Sequence, residues 1–128
     1  MAEPKRVVWA RYGFFVLASF FVLCVLVQVY IAGMAVFVDP TNWSLHRTFV
    51  HVFEPVVFLL FPLAFLGRLS AFLKAVPVVL FVLVSAQYAT AHLYGSLVAA
   101  IHSVNAVVIV FVAAMAVRRT WAQIQADR

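Results

Sequence analysis

Charge is scarce in this chain, with nine Lys and Arg and four Asp and Glu in 128 residues, while 67% of positions are apolar. That scarcity excludes a soluble domain. A chain this short has no interior large enough to hide so much apolar surface, so most of it must face lipid. Acid is scarcer still: apart from Glu54 there are only Glu3, Asp39 and Asp127. None of these three lies within an apolar run, which sets aside a di-iron carboxylate site. The single cysteine, Cys24, excludes an internal disulfide and a CxxC site, and reads as a small packing residue. No nucleophile–base pairing or phosphate loop is present, so a binding or electron-transfer protein is expected rather than an enzyme. No soluble surface exists to carry a basic groove for nucleic acid.

What is present is four apolar runs, at 7–37, 45–66, 74–93 and 97–117. Each is near or above the roughly 20 residues a helix needs to cross a hydrocarbon core of about 30 Å. The runs lack the alternation of barrel strands, and lipid forces an isolated segment to satisfy its backbone internally. The first run is too long for a secretory signal and a second follows closely, so it is expected to be retained. The expected fold is all-α: an integral membrane four-helix bundle, one unit over residues 1–128. Short connections make it up-down-up-down.

Orientation follows from the cations. Lys5, Arg6, Arg11, Arg68, Lys74, Arg118, Arg119 and Arg128 fall on one side of the membrane and only Arg47 on the other. The positive-inside rule assigns both termini to the cytoplasm. Asp39 to Ser44 form the outer turn, with Asn42 or Ser44 capping the second helix and Trp43 at the interface. Gly67 ends the second helix, Arg68 to Lys74 make the inner connection, and Tyr94-Gly95-Ser96 the last turn. The tail from Trp121 to Arg128 is expected to fray.

Polar side chains inside the runs share one depth. Gln28, His51, Gln87 and His102 each lie about two turns from the outer end of their helix, and Glu54 and Asn105 follow the two histidines by three residues on the same faces. His51-Val-Phe-Glu54 overlies His102-Ser-Val-Asn105 as a weak internal repeat, with Gln28 matched to Gln87. Polar groups facing lipid are penalised, so this layer should point into the bundle. It either fixes helix register by hydrogen bonding or holds something. Helices two and four are diagonal in such a bundle, and histidines at equal depth on them can ligate an iron porphyrin from both sides. Ala32 and Gly33 on helix one, with Ala86, Ala89 and Ala91 on helix three, leave room for it.

The remaining polar residues are ambiguous. His46 precedes His51 by five residues, about 140° around the helix. With His92 it is either a second ligand pair or an interfacial residue. Arg47, beside His46, faces either haem propionates or Asp39 and lipid phosphate. Glu54 must be protonated or paired if buried, and proton handling is open. A zinc or copper site from His46, His51, Glu54 and His102 has suitable ligand types, but the 140° offset opposes it.

Three segments carry a resemblance: Gln28-Val-Tyr-Ile-Ala-Gly33-Met-Ala-Val-Phe, Trp43-Ser-Leu-His46-Arg-Thr-Phe-Val-His51 and Ala-Ala-Ile-His102-Ser-Val-Asn105-Ala. Together they resemble small bacterial and archaeal four-helix membrane proteins, a family of unknown function in which a proline often follows the last histidine; here it is Ser103. The architecture is also similar to one half of haem A synthase and to b-type membrane cytochromes. The Glu-x-x-His-Arg signature of the synthase is absent, since position 43 is Trp, so its catalysis is not implied. The resemblance implies a multi-pass protein of a prokaryotic cell membrane.

The leading expectation is a membrane cytochrome carrying one haem b, with a second open. His51 and His102 are the expected iron ligands, Gln28 and Gln87 second donors, Arg47 and His46 near the propionates, and Gly33 in the cavity wall. Expected partners are the lipid bilayer, a larger respiratory complex, a quinone or an extracytoplasmic redox protein, with a homo-oligomer open. The competing readings are a cofactor-free accessory subunit and a carrier of a small ligand or proton through Glu54.

Overall fold

The computed structural model describes residues 3–126. It is all-helical, with no strand among the described residues. Helix α1 spans Lys5–Phe37, α2 Asn42–Phe53, α3 Val56–Leu66, α4 Ala71–Ala91 and α5 Ile101–Ala126, the last preceded by a 3₁₀ turn at Leu97–Ala100. Taking α2 with α3, and the 3₁₀ turn with α5, four segments are long and apolar enough to cross a membrane.

Helix two is broken where the chain dictates. Pro55 has no N–H to give the His51 carbonyl, and the hydrogen bonds tighten there: Val57 N–H donates to the Glu54 carbonyl at 3.2 Å and Phe58 N–H to the Pro55 carbonyl at 3.1 Å. Glu54 therefore sits at a bend. The outer turn is built differently from the sequence expectation. Neither Asn42 nor Ser44 caps α2; Asn42 Nδ2 donates to the Asp39 carbonyl and Ser44 Oγ to the Thr41 carbonyl. Both side chains point back into the turn and share a carbonyl with their own backbone N–H, the local bonding that short polar side chains favour.

Helix α1 packs on α5 and on both α2 and α3, while α4 packs on α5 and α3, so α2 and α3 stand diagonally opposite α5. Phe14, Ala18, Phe21, Leu60, Leu73, Leu80, Ala113 and Ala116 form the buried core, and Cys24 packs among them as a small apolar residue. Past this core, towards the 38–41 and 92–96 turns, most side chains are exposed.

The other end is stapled. Buried Arg11 donates from Nε to the Gly67 carbonyl at 2.7 Å and pairs with Glu3, which also meets Arg68. Gly67 is needed for close approach, since a Cβ there would lie 2.9 Å from the Leu63 carbonyl oxygen and 3.2 Å from Arg11 Cγ. The left-handed residue that ends the helix is Arg68, at φ 48°. The inner connection is shorter than expected: Ser70 caps α4, placing Lys74 within the helix. The expected fraying of the tail is not observed through residue 126. Helix α5 continues because Thr120 and Ile124 are buried and Gln123 bonds the Ser70 N–H and the Arg68 carbonyl. Asp127 and Arg128 lie outside the described residues.

Candidate functional site

The polar side chains divide into two clusters. In the first, His46 on α2 puts Nδ1 3.2 Å from the Gln28 carbonyl on α1, and Gln28 Nε2 donates back to the His46 carbonyl at 2.7 Å. Across the bundle, His102 on α5 puts Nδ1 3.0 Å from the Gln87 carbonyl on α4 and 3.2 Å from Thr90 Oγ1. The Thr90 hydroxyl donates to the Ala86 carbonyl at 2.8 Å, so it too accepts from His102. The two imidazole rings lie 6.4 Å apart between centroids, at 51°. A carbonyl oxygen can only accept, so each neutral imidazole carries its proton on Nδ1 and keeps a lone pair on Nε2. Imidazoles that bind metals are commonly oriented by such an Nδ1–carbonyl bond.

Around this pair the supports are firm on one side and incomplete on the other. Asn105 is buried and donates through Nδ2 to the Leu83 carbonyl and to Gln87 Oε1, both at 2.8 Å. Gln87 thus holds Asn105 with its side chain and His102 with its backbone. Its counterpart Gln28 has a buried Oε1 with no hydrogen-bond partner among the described residues. Trp43 packs edge-on against His46 at 5.4 Å. Gly33, expected in the cavity wall, stands about 140° around α1 from Gln28, where a built Cβ meets nothing within 4 Å, so it is not on the face that meets His46.

The second cluster joins α2 to α4. His51 Nδ1 lies 3.0 Å from Glu54 Oε1, the Tyr88 hydroxyl donates to Glu54 Oε2, and the His51 ring stacks on Tyr88. The structure does not bring His51 and His102 together. The side chain of His51 is 63% exposed, turned by about 140° from the face that His46 presents. The partner of His102 is instead His46, and the repeated unit is Gln28 with His46 and Gln87 with His102. His46 and His92 are not paired either: His92 ends α4, exposed in the following turn. Arg47 is exposed beside His46, while Asp39 accepts from the Thr41 N–H at 2.8 Å. The zinc or copper set is divided between the clusters, and among the described residues no group of three or more His, Cys, Asp or Glu converges on one point.

Two residues escaped sequence reasoning, Tyr88 and Thr90. Thr90 stands one helical turn after Gln87, a spacing that places both on one face. Tyr88 carries no such signal, because tyrosine near a helix end reads equally well as an interfacial aromatic.

The model of a family of unknown function (DUF6220) matches residues 28–96. The chain belongs to this family. The DUF6220 segment starts at Gln28 and contains His46, the whole Glu54 cluster and Gln87, but ends before His102 and Asn105. No curated protein and no solved structure matches the chain.

Proposed function

We propose that this chain is a multi-pass protein of a prokaryotic cell membrane that binds one haem b between His46 and His102. In this reading the helices run up-down-up-down with both termini in the cytoplasm, as the one-sided cations require. The observation that carries it is the pair of diagonal imidazoles, each fixed through Nδ1 on a glutamine carbonyl, with centroids 6.4 Å apart. Imidazole–metal bonds of about 2 Å, with about 1 Å more from nitrogen to ring centre, separate two axial ligands by about 6 Å. The buried, unsatisfied Gln28 Oε1 fits a site made to receive a further molecule.

The chain's own residues have distinct tasks here. Gln28 and Gln87 orient the imidazoles through their carbonyls, Asn105 locks Gln87, and Arg47 is the cation available to propionates near the outer surface. Haem supplies a one-electron couple. A single haem near one face does not cross the bilayer, so the electron partner is a quinone, an extracytoplasmic protein or a larger respiratory complex. The protein purified from haem-replete membranes should show a Soret band and sharp α and β bands on reduction; a colourless preparation overturns the reading.

A cofactor-free accessory subunit is favoured by one observation. The bonds from Gln28 to the His46 carbonyl and from Asn105 to the Leu83 carbonyl tie neighbouring helices by themselves. The same colourless preparation is its expected result.

A further inference from the structure

The second cluster is not needed for the first, and it borders a cavity. Between α3 and α4 lies a space of about 190 Å³, walled by Val57, Phe58, Phe81 and Val84. The Phe58 and Phe81 rings lie 5.7 Å apart between centroids, tilted at 60°. Glu54 comes one turn before its wall residues on the second span, and Tyr88 one turn after Val84 on the third. With the two spans antiparallel, both polar groups gather at the same end of the cavity.

We propose that this cleft binds the ring of a lipid-soluble quinone or quinol, hydrogen-bonded by Glu54, Tyr88 and His51. Three properties select that ligand class. First, the cleft is lateral: Phe58 is 62% exposed and Tyr88 37%, on surfaces that face lipid in a spanning bundle, so a ligand enters from the bilayer. Second, the cavity is smaller than the roughly 300–1,000 Å³ that encloses a drug-sized molecule, so it takes a ring and leaves a hydrocarbon tail in the membrane. Third, the polar end holds a carboxylate, a phenol and an imidazole. Each Glu54 oxygen keeps a second lone pair for a quinol hydroxyl, and the Tyr88 hydroxyl, on turning from Glu54, donates to a quinone carbonyl. A lipophilic cation matches less well, because it offers neither donor nor acceptor to Tyr88 and His51.

The hydrogen-bond break at Pro55 falls at the polar end of the cleft, between Glu54 and Val57. The proposal does not rest on haem binding, since none of its residues ligates the proposed iron. A colourless protein would leave it intact.

The test is photolabelling of the full chain in phosphatidylcholine nanodiscs with an azido-quinone, followed by peptide mapping. Label should fall within residues 54–58 and 81–88 and be displaced by excess decylubiquinone. Ser85→Phe, at an exposed position on the cavity rim, should abolish it, and Glu54→Gln should weaken it about tenfold, the loss of a charged hydrogen bond. Label spread along all lipid-facing helices, or unchanged in both variants, overturns the proposal. Displacement by tetraphenylphosphonium but not by decylubiquinone assigns the cleft to a cation and overturns it equally.

Discussion

At His46 and His102, the nitrogen that carries the proton decides which one is left to bind a metal. Carbonyl partners decide this, so removing the ring support should matter even where the ligand is kept. Asn105→Ala deletes two bonds of 2.8 Å and frees Gln87. It should destabilise the protein by about 0.6–2 kcal/mol, the range for interhelical hydrogen bonds in membranes, and broaden the haem spectrum rather than erase it. Thermal unfolding in detergent, with the spectrum alongside, checks both. Asp39 offers a smaller, pH-dependent effect. The Thr41 backbone N–H bonded to its carboxylate, and then the Thr41 side chain, hold its pKa below the usual range. Because the folded pKa is the lower one, the stabilisation is complete above the unfolded value of about 3.9 and disappears as pH falls through the folded value. Wild type should therefore lose more thermal stability than Asp39→Asn between about pH 6 and about pH 3. Equal losses would remove Asp39 from the account.

At the scale of elements, the helices and most of their ends were readable from apolar length, Pro40, Gly67 and Gly95, and the depth of the polar residues was readable from their positions along each run. Azimuth was not. A helix in lipid is apolar on both its lipid side and its core side, so no stripe marks the inward face. Depth alone favours His51 over His46 as the partner of His102, and only packing shows that His46 turns towards His102 while His51 turns towards Tyr88. The tail departs from the sequence expectation for a related reason. Gln123 looks like a solvated residue until the 67–70 connection is beside it. That connection also yields a prediction at Gly67, where a methyl group would press on the Leu63 carbonyl and Arg11. Gly67→Ala should cost about 1–3 kcal/mol through overpacking, read as a lowered unfolding midpoint; an unchanged midpoint would show that Arg11 can yield.

For the whole molecule, the packing is uneven along its length. The stapled end, with Arg11, Glu3, Arg68 and Gln123, is closed, whereas towards the 38–41 and 92–96 turns most side chains are exposed, with Thr90 and Asn105 buried beside His102. Reporter fusions at the two termini should both read as cytoplasmic, as the cation distribution demands.

The central claim is that His46, and not His51, pairs with His102 around an iron porphyrin. The most direct measurement is the reduced visible spectrum of His46→Ala and His51→Ala proteins, purified beside wild type from haem-replete membranes. The account predicts that His46→Ala loses the sharp α band while His51→Ala keeps it. An α band that survives in His46→Ala, or disappears in His51→Ala, would contradict it.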